Sequence, residues 1–155
     1  MKQFLLAVTL FASSTAFAGS PAVYEKSVTQ ALDVTYSNVN KALEENGFRV
    51  VFEVDIAANL SKIADKLGDN YNKNKLGGIK SIVFCNGKFA NLISNLDPAM
   101  LAICPLHATL THKDGVTTVL FVRPSAVAQG SPAAKAALDL ENASIKALEA
   151  GLNAK

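Results

Sequence analysis

Cysteine and arginine are scarce in this chain. Cys85 and Cys104 are its only thiols, and Arg49 and Arg123 its only arginines, with the lysines dispersed along the 155 residues. A nucleic-acid footprint needs basic residues clustered on one face, so that class of partner is excluded. Long apolar runs are lacking too. The run from Phe4 to Ala12 (FLLAVTLFA) is about half of the ~20 residues that a spanning helix requires, which excludes a membrane anchor built on it. There is no internal repeat and no low-complexity segment. Serine elbows, Gly-rich phosphate loops and paired-carboxylate constellations are also missing, so the common hydrolase, nucleotide-transfer and acid–base patterns find no support.

What is present begins with a processing segment. Lys2 supplies a positive start, Phe4–Ala12 an apolar centre, and Ala16-Phe17-Ala18 the small residues that signal peptidase reads. Residues 1–18 are therefore expected to be removed, giving an exported and most simply periplasmic protein. No cysteine follows the cleavage point, so no lipid anchor is suggested. Residues 19–155 are expected to form a single domain, long enough for one core. Of its 15 basic residues the chain loses Lys2, leaving 14 against 13 acidic, a net charge of +1.

Residues 22–32 read as a first strand. Asp33 caps a helix with Tyr36, Val39 and Leu43 at helical spacing, and Gly47 ends it. In the next strand Phe48, Val50, Phe52 and Val54 alternate with Arg49, Val51, Glu53 and Asp55, which predicts one apolar face. Asp55 caps a second helix with Ile56, Leu60, Ile63 and Leu67 on one stripe, stopped by Gly68. Residues 69–78 form a polar loop; Tyr71 could serve a carbohydrate or anion there, but Asn, Lys and Gly are loop formers for local reasons. A central strand at Lys80–Cys85 is followed by a short helix at Gly87–Ser94 and a turn at Asp97-Pro98. Strands at Leu106–Thr111 and Val116–Arg123 flank a hairpin loop containing Gly115. Ser131-Pro132 starts a last helix expected to turn Ala134, Leu138, Ile145, Leu148 and Leu152 to the core. The order, two short inserted helices aside, is strand, helix, four strands, helix. An α+β fold results, with helices packed on one face of an antiparallel sheet.

Residues 79–124 carry a resemblance. Ile82-Val83-Phe84-Cys85-Asn86, Ala90, Asp97-Pro98, Cys104-Pro105, then Asp114-Gly115 and a strand ending at Pro124, resemble family 302 of the domains of unknown function (DUF302). Gly47-Phe48 and Asp55 fit that pattern, and the likeness covers roughly residues 22–150. One departure is that proline follows the second cysteine here, whereas many relatives have it before. The resemblance implies a fold like that of TATA-box-binding-protein-like domains. It implies no activity, and a DNA role does not travel with the architecture.

Because the implied sheet is antiparallel, Cys85 and Cys104 fall at the same end of it. A bridge between them would close a loop of about eighteen residues and stabilise by about 3 kcal/mol on the chain-entropy model. Three readings stay open: a structural disulfide suited to an oxidising compartment, two buried unpaired thiols, or a working pair that binds a soft metal or cycles redox state. Relatives without export signals can carry the same two positions, which keeps the third alive. Strand alternation puts Leu106, Ala108 and Leu110 on the core face with Cys104, and turns His107 away. A Cys85/Cys104/His107 metal site would thus need an irregular backbone at Pro105, and no cofactor is predicted. His112 is expected in solvent at the hairpin. Asn86, Asp97, Pro105 and His107 are the candidate neighbours of the thiol pair, and no residue is assigned a catalytic role. The functional expectation is a non-enzymatic periplasmic binding or accessory domain for a small ligand or a protein partner, its site an apolar groove beneath the last helix. The alternatives are a thiol-based redox or metal-handling protein, and a structural protein that homodimerises through a sheet edge or helix face.

Overall fold

The computed structural model describes residues 20–154, so the signal segment and its cleavage point lie outside the described residues. Five strands, β1 (Val23–Val28), β2 (Arg49–Asp55), β3 (Gly78–Cys85), β4 (Leu106–Lys113) and β5 (Val116–Val122), form one sheet in the order β1-β5-β4-β3-β2. Every neighbouring pair is antiparallel. Helix α1 (Leu32–Glu45) joins β1 to β2, and the long helix α6 (Ala134–Leu152) closes the chain; the two pack on each other over one face of the sheet. The fold class and the strand-helix-four strands-helix order are as the sequence predicts.

Between the sheet and these helices lies the core. Ile82, Phe84, Leu110, Val119 and Phe121 rise from the strands to meet Val39 and Leu43 of α1 and Leu140 and Leu148 of α6. Burying each such side chain stabilises by about 1.5–3 kcal/mol. Phe48 meets Phe84 edge-on at 5.4 Å between ring centroids, and Phe84 stacks near Phe121 at 6.2 Å. On α6 the inward residues are mostly small: Ala136, Ala137, Ser144, Ala147 and Gly151. That lets the two helices approach closely. A Cβ on Gly151 would stand 2.5 Å from the Val39 Cα.

Several local expectations need correction. Phe52 does not share a face with Phe48 and Val50. The β2–β3 register shifts between Val50 and Phe52, a bulge at Val51, so that Val50 pairs with Phe84 on the core side while Phe52 pairs with Val83 on the other. Phe52 is consequently 63% exposed. Leu138 also points outward, 45% exposed, because the small residues of α6 define the buried stripe. The helix after Asp55 breaks into α2 (Ile56–Ser61) and α3 (Ala64–Leu67), although Asp55 does cap it, accepting from the Ala58 N–H at 2.8 Å. More than two helical pieces are inserted: α4 (Gly87–Leu96), a 3-10 helix at Pro98–Ile103, another at Gly68–Asn70, and α5 (Pro124–Val127) join α2 and α3. Among the described residues no helix is long and apolar enough to cross a membrane.

Candidate functional site

Each residue of the Cys85–Cys104 segment has a definable place. Cys85 ends β3 opposite Arg49, one residue past the buried Phe84, so it projects from the sheet face away from the helices. Cys104, two residues before β4, packs against the core instead. Both are half-buried free thiols. The antiparallel strands do bring them to one end of the sheet, but the two side chains leave on different sides, and the expected bridge is not formed. Burial pushes the Cys104 thiol above its ordinary range, and nearby Cys85 adds to that.

Asn86 and Asp97 are tied into structure. The Asn86 side chain caps α4 by accepting from the N–H groups of Lys88 and Phe89 at 3.1 and 3.2 Å. Its amide also donates to the Gly47 carbonyl at 3.0 Å, fixing the turn that leads into β2. Asp97 caps the following 3-10 helix through the Ala99 N–H at 3.1 Å and accepts from the Ser131 hydroxyl at 2.6 Å, anchoring the approach to α6. Cys-Asn and Asp-Pro are thus explained by caps and ties.

His107 is exposed on the face away from Cys104, as strand alternation predicts. With Pro105, Ile103, Val122 and Val127 it borders a small apolar recess of about 150 Å³. Among the described residues no three His, Cys, Asp or Glu side chains converge to hold a metal, so the Cys85/Cys104/His107 set is not assembled. His112, expected in solvent, is half-buried and its Nδ1 lies 2.9 Å from the hydroxyl of fully buried Thr117. Thr117 in turn donates to the Gln30 carbonyl at 2.7 Å.

The groove expected under the last helix is filled by the side chains of the core. Concavity occurs instead in the β2–β3 insertion, where α2 and the loop Asn70–Gly77 enclose a cleft of about 550 Å³. Ala57, Ala58, Leu60, Leu76 and Ile79 make its apolar lining, and Ser61, Asn70, Tyr71, Lys73 and Asn74 its polar one. The loop is held by its own contacts: the Asn72 side chain accepts from the Leu76 N–H and donates to the Leu76 carbonyl, both at 2.9 Å. Asn72 and Lys75 adopt positive φ. The polar composition of 69–78 signals a loop, but not that it folds back against α2; that follows from the Asn72 ties and the break of the helix at Ile63.

Residues 24–151 match the model of the domain of unknown function DUF302. The chain belongs to the DUF302 family. The crystal structure of an uncharacterized conserved protein DUF302 from Bacillus stearothermophilus superposes with a TM-score of 0.73 at 17% identity, covering 84% of this chain and 98% of that one. At that identity the likeness concerns the fold. No curated protein matches the chain. For this DUF302 domain, as for the family, the match assigns no activity.

A further polar constellation gives no signal in the sequence. Glu141, on the inward side of α6, is 3% exposed. It accepts from the Arg123 guanidinium at 2.7 Å and from both the N–H and hydroxyl of Ser125. Burial draws its pKa upward, but Ser125 and Arg123 outweigh that and hold the carboxyl below its ordinary range. Arg123 also lies over the Tyr24 ring at 5.6 Å. Spacing alone could not have paired Arg123 with Glu141, since a helix and a turn intervene.

Proposed function

We propose that this DUF302 domain is an exported, non-enzymatic binding protein, mature from Gly19, that holds a small amphipathic molecule in the cleft between α2 and the Asn70–Gly77 loop. The observation that carries this reading is the cleft itself. Its volume falls within the ~300–1,000 Å³ of small-molecule sites, and it sets five apolar side chains against amide, hydroxyl, phenol and ammonium groups. Apolar contact supplies the affinity, and the few polar groups orient the ligand. A role without covalent chemistry is also favoured by the raised pKa of Cys104, which keeps that thiol protonated near neutral pH rather than nucleophilic.

Native mass spectrometry of the protein recovered from the periplasm tests the reading. A copurified molecule is expected, released on unfolding, and lost in an Ala58→Trp variant whose indole occupies the cleft. An empty wild-type protein would remove the support. N-terminal sequencing of the same material should begin at Gly19; recovery of an intact Met1 terminus would contradict export.

A thiol-based role is the second reading. It is favoured by two free thiols at one end of the sheet, near enough for Cys85 to affect Cys104. A Cys85→Ser/Cys104→Ser double variant separates the two: under the binding reading it loses stability alone and keeps the ligand.

A further inference from the structure

The polar groups of the cleft between α2 and the Asn70–Gly77 loop share one character. Lys73 is the single charged residue of its lining, and no carboxylate lines it. Two of the polar side chains are already engaged. The Ser61 hydroxyl donates to the Ala58 carbonyl at 2.8 Å, and the Asn72 amide is bound in both directions to Leu76. The groups left to meet a ligand are the Asn70 and Asn74 amides, the Tyr71 phenol and the Lys73 ammonium. An ammonium only donates, and the amides and phenol donate as readily as they accept, so this side of the cleft is rich in donors and positively charged. Neighbouring carboxylates do not cancel that charge. Among the described residues Lys73 forms no ion pair. Asp55 and Asp33 line an adjoining depression, where Asp55 caps α2 and Asp33 holds the Lys80 ammonium at 2.6 Å. Asp69 precedes Asn70 but does not line the cleft.

We infer that the molecule held in the cleft is an amphipathic organic anion, with an apolar body against Ala57, Ala58, Leu60, Leu76 and Ile79 and one carboxylate or sulfonate group on the Lys73 ammonium. The inference rests on the cleft reading of the preceding subsection and adds the charge of the ligand to it. An anionic acceptor makes with an ammonium a hydrogen bond about twice as strong as a neutral pair. Lys73 is exposed, so the anion keeps contact with water and loses little hydration, while the apolar body takes the covered wall. A cation would meet Lys73 as a like charge and find no carboxylate to pair with. A sugar would set hydroxyls along the five apolar side chains, where they would go unsatisfied.

Fluorescence titration with two probes that share one apolar body tests this: anilinonaphthalene sulfonate and its uncharged parent, phenylnaphthylamine. Each is expected to bind in the cleft, the sulfonate more tightly, and rising salt should weaken the sulfonate alone. Lys73→Gln should weaken the sulfonate by about threefold to tenfold, the range of a partly exposed charge-assisted contact, and leave the uncharged probe unmoved. Lys75→Gln, in the same loop but outside the lining, should change neither. Ala58→Trp should abolish both. Lys73 and Ala58 are exposed, so the variants are expected to keep the wild-type circular dichroism. Equal affinity for the two probes, or equal weakening of both by Lys73→Gln, overturns the anion inference and leaves the cleft reading standing. So does a loss with Lys75→Gln as large as with Lys73→Gln, which would make the effect one of general charge. Binding of both probes that survives Ala58→Trp, or no binding of either, overturns the cleft reading and the inference with it.

Discussion

Glu141 shows how much a single buried carboxylate can organise. It joins α6 to the turn after β5 through Arg123 and Ser125, and Arg123 reaches on to the Tyr24 ring of β1. Its folded pKa is depressed, so its contribution is complete above the unfolded carboxylate value of about 4.3 and is lost as pH falls through the folded value. Glu141→Gln should therefore cost about 1–3 kcal/mol at neutral pH, discounted because Arg123 is a third exposed, and should flatten the acid limb of stability below about pH 4. Urea melts across pH 3–7 read both effects; parallel curves for the two proteins would refute the assignment. Asn86→Ala removes a cap and the tie to Gly47 together, and a loss of about 1–2 kcal/mol is expected in the same assay. At the thiols, a disulfide-exchange reagent at mildly alkaline pH should find two groups per chain. Cys104 should react more slowly because burial disfavours its thiolate. Finding none after denaturation would establish a bridge after all.

At the scale of elements, periodicity was legible and its interruptions were not. Along β4, alternation alone places His107 outward and Leu106, Ala108 and Leu110 inward, and the structure agrees. The same rule applied to β2 fails, because one extra residue at Val51 reverses the strand and nothing in RVVFEVD announces a bulge. Helix α6 misled in another way. Its larger residues suggest a stripe through Leu138, yet the buried side is chosen by small residues that admit α1. Gly151 is the tightest point, and Gly151→Ala is expected to force the helices apart at a cost of about 1–3 kcal/mol, whereas Gly87→Ala opens into free space and should be nearly neutral. Equal effects of the two substitutions on the urea midpoint would contradict the packing described. The candidate site was less legible than the fold: the thiol segment is visible as a motif, but the cleft arises from a loop closing on a broken helix, a tertiary event.

The whole molecule is a single sheet with helices on one side, and its protection should follow that plan. Strand β4 lies at the middle of the order β1-β5-β4-β3-β2, and β1 and β2 are the edges. Amide exchange is expected to be slowest in β4 and the inward turns of α1 and α6, and fastest along β2, which also bears the bulge. Exchange in β2 as slow as in β4 would mean that the exposed edge is covered in solution. Sheet order was predictable only as antiparallel; which strands became edges depends on β1 crossing to pair with β5, a long-range choice that local pattern does not encode.

That crossing has a consequence for how the protein comes into being. Val23 pairs with Val122 and Val28 with Thr117, so the first strand to emerge from a ribosome waits for the last. Strands β2 to β5 can assemble as successive neighbours while synthesis proceeds, but β1 has no partner in the sheet until β5 is made. Helix α1 likewise meets its companion α6 only at the end. Until then the growing chain exposes the apolar side of both, and completion is held back to the final residues. A chain built this way completes its sheet and its helical layer only when its C-terminal elements have been made.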